Sequence, residues 1–472
     1  MPRISDSPLP SEGRIHNGGT SNPGLRGGEE LGNPPQSGKG SLNKRIVFAS
    51  IIALLAALVI YLSSSRSGDQ SSAGGRPSTE KAAAIGNAAK LPSVVDYGRL
   101  EQRLNRLMEE RDMVGLAVGV VEGGQIRFLK GYGETSEGSG QPVNSNTLFR
   151  WASVSKGVAA DMVAKLADQG KLGLHEPVVK YSASLRLPGG MEHRATVADV
   201  LSHRLGLFSH AQDSKLEDGM DARYLRATLA SLNAICPPGT CHAYQNVAYD
   251  ASTEVVERVT GKPYAEAVRE QLFLPLGMTS ASMNMGALTS SPNWARPHVG
   301  GNPRPVEVTD SYYRVPAAGG VNSNIKDLAI WMQAQMGMEP DVLSPRALEA
   351  VQTARARTPG ELGRMRKFRE RINTAAYGLG WRIYDYSGHR IVGHRGGVRG
   401  YRSLVMFDPQ RKSGIVALWN SSTNQPAGIE FEVMDMILGL PPRDWMDLDK
   451  IIERPPEPPE ELQKAEPNST GP

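Results

Sequence analysis

Apolar residues keep a helical or strand period between about Val94 and Leu438 and lose it on either side. Tyr97, Leu100, Leu104, Leu107 and Met108 fall on one helical face, which predicts a helix over roughly 94–110. Val114–Val121 is an unbroken apolar run, Glu122 to Gln125 a turn, and Ile126–Tyr132 a second run, together a β-hairpin. The middle of the chain turns helical. Val154, Val158, Met162, Val163 and Leu166 recur at steps of one turn. Thr196 and Asp199 form the ends of a capping box for a short helix that stops at Gly206. Further helices are predicted at Val247–Thr260, Tyr264–Phe273 and Asp327–Met336, whereas 207–240 gives no clear period. Strand patterns return at Tyr377–Tyr386, Arg390–His394, Arg402–Phe407 and Gly414–Asn420, and a last helix covers Ile429–Leu438. Strands at both ends and helices between them predict one α+β domain over 93–442, its antiparallel sheet assembled from both ends of the chain.

The flanks differ in kind. Residues 1–45 are rich in Gly, Pro, Ser and Asn and read as a disordered tail, as do residues 443–472, rich in Pro and Glu. Between the first tail and the domain, Ile46 to Leu62 is seventeen residues without a charge. At about 1.5 Å per residue such a helix is roughly 26 Å long, enough for a short membrane span. A cleaved signal peptide ending near Ser63–Ser65 is the rival reading, but the long polar leader favours an uncleaved anchor. Lys39, Lys44 and Arg45 before the span, against Arg66 and Arg76 after it, place the N-terminus in the cytoplasm. Residues 63–92 read as a flexible tether.

Charge and composition narrow the function. A net charge of +4 over 472 residues and no basic-aromatic patch give no reason to expect nucleic acid. The nine histidines show no metal-ligand spacing, and no phosphate loop is present, so no metal or cofactor is implied. The chemistry starts at Ser153-Val-Ser-Lys156, where a long apolar helix begins. The spacing puts the hydroxyl and the amine on one helical face, and the helix start favours developing negative charge. A lysine in a dry pocket can lose its charge and take the serine proton. The same tetrapeptide pattern at Ser41–Lys44 and Ser78–Lys81 lies in polar, Gly/Pro-rich chain, and the one at Ser323–Lys326 lacks the Trp-Ala lead-in. Taken alone, the pattern also fits a helix-capping serine beside a surface lysine. Two more segments fit the first. Tyr244-Gln-Asn246 follows a Pro-Pro-Gly turn and offers a proton-transfer hydroxyl and an amide. His394-Arg-Gly396-Gly397 ends a strand in glycines, where a substrate can lie along the edge.

The order Ser-x-x-Lys, Tyr-x-Asn, His-x-Gly resembles the serine β-lactamase and penicillin-binding-protein superfamily in its class C branch, over roughly 95–425. Thr196–Gly206, Gly261–Tyr264, Pro275–Met278, Ala318–Gly320 and Tyr377-Gly-Leu-Gly-Trp381 agree with it. The resemblance implies a β-lactamase/transpeptidase-like fold, a five-stranded antiparallel sheet flanked by helices plus a helical lobe. It implies Ser153 as the acylated nucleophile and Lys156 and Tyr244 as the pair sharing its proton, with either as the base. Asn246, His394 and Gly396 would bind substrate, and the N–H groups of Ser153 and Gly397 would form the oxyanion hole. His394 stands where the family's β-lactamases usually carry lysine, so a fixed charge for a substrate carboxylate is missing there. Strand alternation points Arg395 away from His394.

The reading is a membrane-anchored serine hydrolase, single-pass in a bacterial inner membrane with its domain on the periplasmic side. It would act on a small-molecule or peptide substrate: an ester, a small or D-amino-acid peptide, or a β-lactam. A silent domain that binds peptidoglycan or a partner, and a self-assembling scaffold, are the alternatives; oligomeric state is left open. Cys236 and Cys241 bracket Pro-Pro-Gly-Thr and are expected to pair if the domain lies outside the cytoplasm. So short a loop removes little unfolded-state entropy, so its effect would be local, on Tyr244 three residues on.

Overall fold

The computed structural model describes residues 93–449. The tail at 1–45, the span at 46–62, the tether at 63–92 and the chain from 450 onward lie outside the described residues. Within them no helix is long and apolar enough to cross a membrane.

The domain is built on an antiparallel sheet whose central strands are apolar on both faces. Helix α1 (Tyr97–Leu107), whose first turn is capped by the Asp96 carboxylate accepting from Arg99 N–H, leads into hairpin β1 (Gly115–Glu122) and β2 (Gln125–Gly133). The middle of the chain contributes α2 (Ser155–Asp168), α3 (Val197–Leu201), α4 (Ala251–Thr260), α5 (Ile325–Gln335) and α6 (Pro345–Gln352), among shorter turns. The chain then returns through β3 (Ala356–Arg357), β4 (Ile372–Tyr377), β5 (Arg382–Tyr386), β6 (His389–Val398), β7 (Tyr401–Asp408) and β8 (Ser413–Trp419) to helix α7 (Ile429–Leu438). The spatial order is β2-β1-β8-β7-β6-β5-β4-β3, so β1 and β8 close the sheet from opposite ends of the domain.

Alternation along β1 explains the two layers. Leu116, Val118 and Val120 face α1 and α7, with Leu104, Phe431 and Val433, while Ala117 and Val121 face the layer of α2 and α5. Because both faces are covered, β1 reads as a continuous apolar run and not as an alternation.

The structure amends four expectations. The sheet has eight strands among the described residues where five were expected: β3, β4 and β5 extend the five-stranded unit. Tyr377–Tyr386 is not one strand, because Gly378 to Trp381 turns between β4 and β5 and Gly380 takes a positive φ of 73°. Ala152–Val154 is a 3₁₀ turn and α2 starts at Ser155, so Ser153 lies two residues ahead of the α-helix. The domain does not end at 442. Trp445, Met446 and Leu448 are buried against α7, and the Trp445 indole donates to Asp435 at 2.8 Å.

One buried ion cluster braces the helical layer. The Arg226 guanidinium, almost without exposed surface, donates to Asp250 (2.7 Å) and Glu254 (3.1 Å), and the other Asp250 oxygen accepts from Ala317 N–H (3.1 Å). Burial still pushes the Asp250 carboxyl up to about 7, against the pull of Arg226. Removing the guanidinium leaves the Asp250 carboxylate buried with no countercharge and only the Ala317 N–H as donor, whereas Glu254 keeps Arg223, Ser182 and Ser184. Arg226→Ala should therefore lose about 3–5 kcal/mol of stability in urea unfolding, and an unchanged midpoint would contradict that role.

Candidate active site

The turn before α2 is pinned on three sides. Trp151 N–H donates to Val321 O, its indole donates to Ser323 Oγ (2.9 Å), and its carbonyl accepts from Ser403 Oγ (2.5 Å). Ala152 is forced into the left-handed region at φ 48°, which a residue with a side chain adopts at a cost. Ser153 follows, half-buried between fully buried neighbours. Strand β6 passes so close that a Cβ on Gly396 would lie 2.3 Å from Trp151 O and 3.0 Å from Ser153 N, so only glycine fits. Gly397 pairs with Arg402 across β6 and β7.

Lys156, the second residue of α2, has no exposed surface. Its ammonium donates to Asn246 Oδ1 (2.6 Å) and Ala318 O (2.9 Å) and lies 4.7 Å from the centre of the Tyr244 ring. Burial draws its pKa down to about 7, with Arg382 acting the same way and Asp213 and Asp250 opposing. Burial moves Tyr244 the other way, well above the usual phenol range, although the Ser153 hydroxyl and the Arg382 charge nearby offset part of the rise. At neutral pH the lysine can lose its proton and the phenol keeps its own. Asn246 is held in turn, donating to Asp213 Oδ2 at 2.7 Å.

The sequence placed Ser153, Lys156, Tyr244, Asn246, Gly396 and Gly397 around one site, and the fold brings these segments together. His394 is placed differently. It is buried behind the cleft wall with both ring nitrogens engaged, so the expected contact with substrate is not met. Its partners fix the tautomers of a relay. Gln245 N–H donates to His203 Nδ1 (3.1 Å), His203 Nε2–H to the Tyr377 hydroxyl (3.2 Å), that hydroxyl to His394 Nε2 (3.0 Å), and His394 Nδ1–H to Arg395 O (2.7 Å). Burial holds both imidazoles well below their ordinary pKa, and nearby Arg382 and Lys156 add to it. The relay thus ties the Tyr244–Asn246 segment to the glycine strand with neutral groups. Arg395 does turn to the opposite face, where it pairs with Glu430.

Ser153 opens into a cleft of about 710 Å³ that Tyr244, His210, His242 and Cys241 also line. Arg357, Arg364 and Arg382 reach it against one carboxylate, Glu361, which Arg382 meets at 2.7 Å and Arg364 at 2.9 Å, and Arg395, paired with Glu430, only borders it. Cys236 and Cys241 are joined in a disulfide at the cleft's edge. Sequence reasoning missed Arg382, although it directly follows Trp381 of the Gly-Leu-Gly-Trp motif, and missed Asp213, which lies in a stretch without a period.

Residues 100–435 match the family model described as Beta-lactamase. The chain belongs to the β-lactamase family. It is 29% identical to an unguisins hydrolase of Aspergillus campestris over 72% of this chain and 65% of that one, so it spans just under two thirds of that relative. It is 30% identical to esterase EstB of Burkholderia gladioli over 66% of this chain and 80% of the esterase. Among solved structures, the octameric penicillin-binding protein homologue from Pyrococcus abyssi superimposes with a TM-score of 0.67 at 25% identity, covering 74% of this chain and 79% of that one.

The depressed lysine sets a pH dependence. Neutral Lys156 is the form able to accept a proton, and it is populated above its pKa of about 7. Hydrolysis measured as kcat/KM should rise with pH through about 7, and Lys156→Arg, which cannot deprotonate there, should remove at least about 10²-fold of it. A flat profile between pH 5 and 9 would speak against the lysine as base.

Proposed function

We propose that the chain is a membrane-anchored serine hydrolase that cleaves an ester or amide through an acyl-enzyme on Ser153. The observation that carries this reading is Ser153 lining one cleft with Tyr244, whose ring centre lies 4.7 Å from the ammonium of a fully buried Lys156 with its pKa drawn down to about 7. In the first half-reaction Ser153 Oγ attacks the substrate carbonyl and its proton passes to Lys156, directly or through the Tyr244 hydroxyl. The Ser153 N–H, and the Gly397 N–H on the adjacent strand, would receive the oxyanion. The carbon–heteroatom bond then breaks, and Lys156 returns the proton to the leaving group. Asn246 holds the ammonium through Oδ1 while its Nδ2 donates to Asp213, and a substrate amide would meet it as that pair separates.

The excess of arginine over carboxylate in the cleft supports a substrate that carries a carboxylate. Arg382 takes over the charge that a lysine at position 394 would supply. Its guanidinium lies 5.8 Å from the centre of the Tyr244 ring and is fixed by Glu361. A D-amino-acid peptide, a hemi-ester and a β-lactam share that carboxylate.

Fluorophosphonate and a fluorescent penicillin should label the wild-type protein at Ser153, and Ser153→Ala should lose both labels with an unchanged melting curve. Hydrolysis by Ser153→Ala at the wild-type rate would sink the assignment. Carboxylate-bearing esters should show lower KM than their neutral counterparts, by about tenfold for roughly 1.4 kcal/mol of ion pairing, and Arg382→Ala should erase the difference.

The anchor and the compartment belong to the same proposal. The uncharged stretch 46–62 and the oxidised cysteine pair support a domain held outside the cytoplasm. Protease added to spheroplasts should digest residues 63–472 and leave the N-terminal tail; protection of the domain would contradict this orientation.

A further inference from the structure

Acylation leaves one imidazole of the cleft without a task. His203 and His394 are buried with both nitrogens bonded. His242 reaches the cleft, but burial and then Arg382 draw it down to about 4, which makes it a poor base at neutral pH. His210 differs in its exposure and in having one ring nitrogen left over. It lines the cleft with Ser153 and Tyr244, and its side chain is 60% exposed. Its Nδ1 lies 2.8 Å from Asp213 Oδ2, so Nδ1 carries the proton and donates it to the carboxylate. That leaves the Nε2 lone pair without a partner among the described residues.

The placement is specified by more than this one bond. The backbone is left-handed at His210 (φ 61°) and again at Gln212 (φ 66°), conformations that non-glycine residues hold only when their surroundings enforce them. His210 N–H donates to Tyr244 O at 2.8 Å, and the two rings lie 5.5 Å apart, centre to centre. Asp213 is buried, and the oxygen that accepts from His210 also accepts from Asn246, the holder of Lys156. One carboxylate therefore orients both His210 and the amide that holds Lys156.

We propose that the His210–Asp213 pair is the general base that hydrolyses the acyl-enzyme, an inference that rests on Ser153 carrying the acyl group. Water gives a proton to His210 Nε2 as its oxygen bonds to the acyl carbon, and Asp213 stabilises the imidazolium that forms. The bond from the acyl carbon to Ser153 Oγ breaks with its electron pair going to Oγ. The proton on Nε2 passes to that oxygen through water or the Tyr244 hydroxyl, releasing a carboxylic acid and restoring both groups.

The test uses the full-length protein with p-nitrophenyl acetate. His210→Asn keeps a donor where Nδ1 stands, and so the bond to Asp213, but has no base at Nε2. Its burst of nitrophenol, which reports acylation, should stay within about threefold of wild type. Its steady-state rate should fall by at least about 10²-fold, with one acetyl group accumulating on Ser153 by intact mass. Added imidazole should restore turnover to His210→Ala, which a merely structural role would not permit. A variant that turns over as fast as wild type, or whose burst and steady state fall together, overturns the dyad. Wild-type protein that never takes an acetyl group on Ser153 overturns the acyl-enzyme reading itself, so the two failures are distinguishable.

Discussion

An ammonium group sealed from water is the constraint around which this domain is arranged. Lys156 loses its hydration and receives in return one amide oxygen, one carbonyl oxygen and the field of two carboxylates, Asp213 and Asp250. Each of those partners is itself secured. Asp250 is held by Arg226 and by Ala317 N–H, next to the carbonyl that Lys156 uses; Asn246 is held by Asp213. The compensation is incomplete by design of the surroundings: enough to keep the site folded, too little to keep the lysine charged well above neutrality. A better-solvated lysine would be stable and inert.

The nucleophile turn faces a related difficulty, since its useful conformation is not its most comfortable one. The left-handed Ala152 is tolerated because Trp151 is fixed through its N–H and its indole to the Val321–Ser323 segment and through its carbonyl to Ser403. The Trp151, Trp331 and Trp381 rings lie 5.3 and 5.0 Å apart in succession and back this turn with a rigid apolar slab. Gly157 permits the contact, because a Cβ there would lie 2.6 Å from the Trp331 ring. Packing energy from the core is thereby converted into local strain at Ser153's threshold.

What the sequence made legible divides along the same line. Ser153, Lys156, Tyr244 and Asn246 are close in sequence to features with a period or a turn signal, and the chemistry of each residue type is specific. Arg382, Asp213, His203 and Tyr377 become functional candidates only through contacts with distant segments, so no local pattern marks them. His203 sits within a motif that reads simply as a helix stop. His394 was misplaced because strand alternation gives a face but not a depth: the residue points toward the site and is covered by Tyr377. Strand β4 was missed because Asn373 and Thr374 are both exposed and its register shifts there, which erases the period of two. Trp445, Met446 and Leu448 were overlooked amid prolines and charges, although together they bury as one patch against α7.

The sheet's last strand has a bearing on how such a protein can diversify. β3 is two residues long and begins the stretch from Arg357 to Arg364, which supplies Thr358, Pro359, Gly360 and Glu361 to one wall of the cleft. That wall hangs from the sheet's edge by two residue pairs and contributes nothing to the pinning of Ser153 or the burial of Lys156. Loops at an edge accept insertions and exchanges that interior strands do not. This wall of the cleft is thus heritable separately from the nucleophile turn. Lineages sharing one nucleophile turn could drift between esters and peptides by rewriting a single peripheral segment.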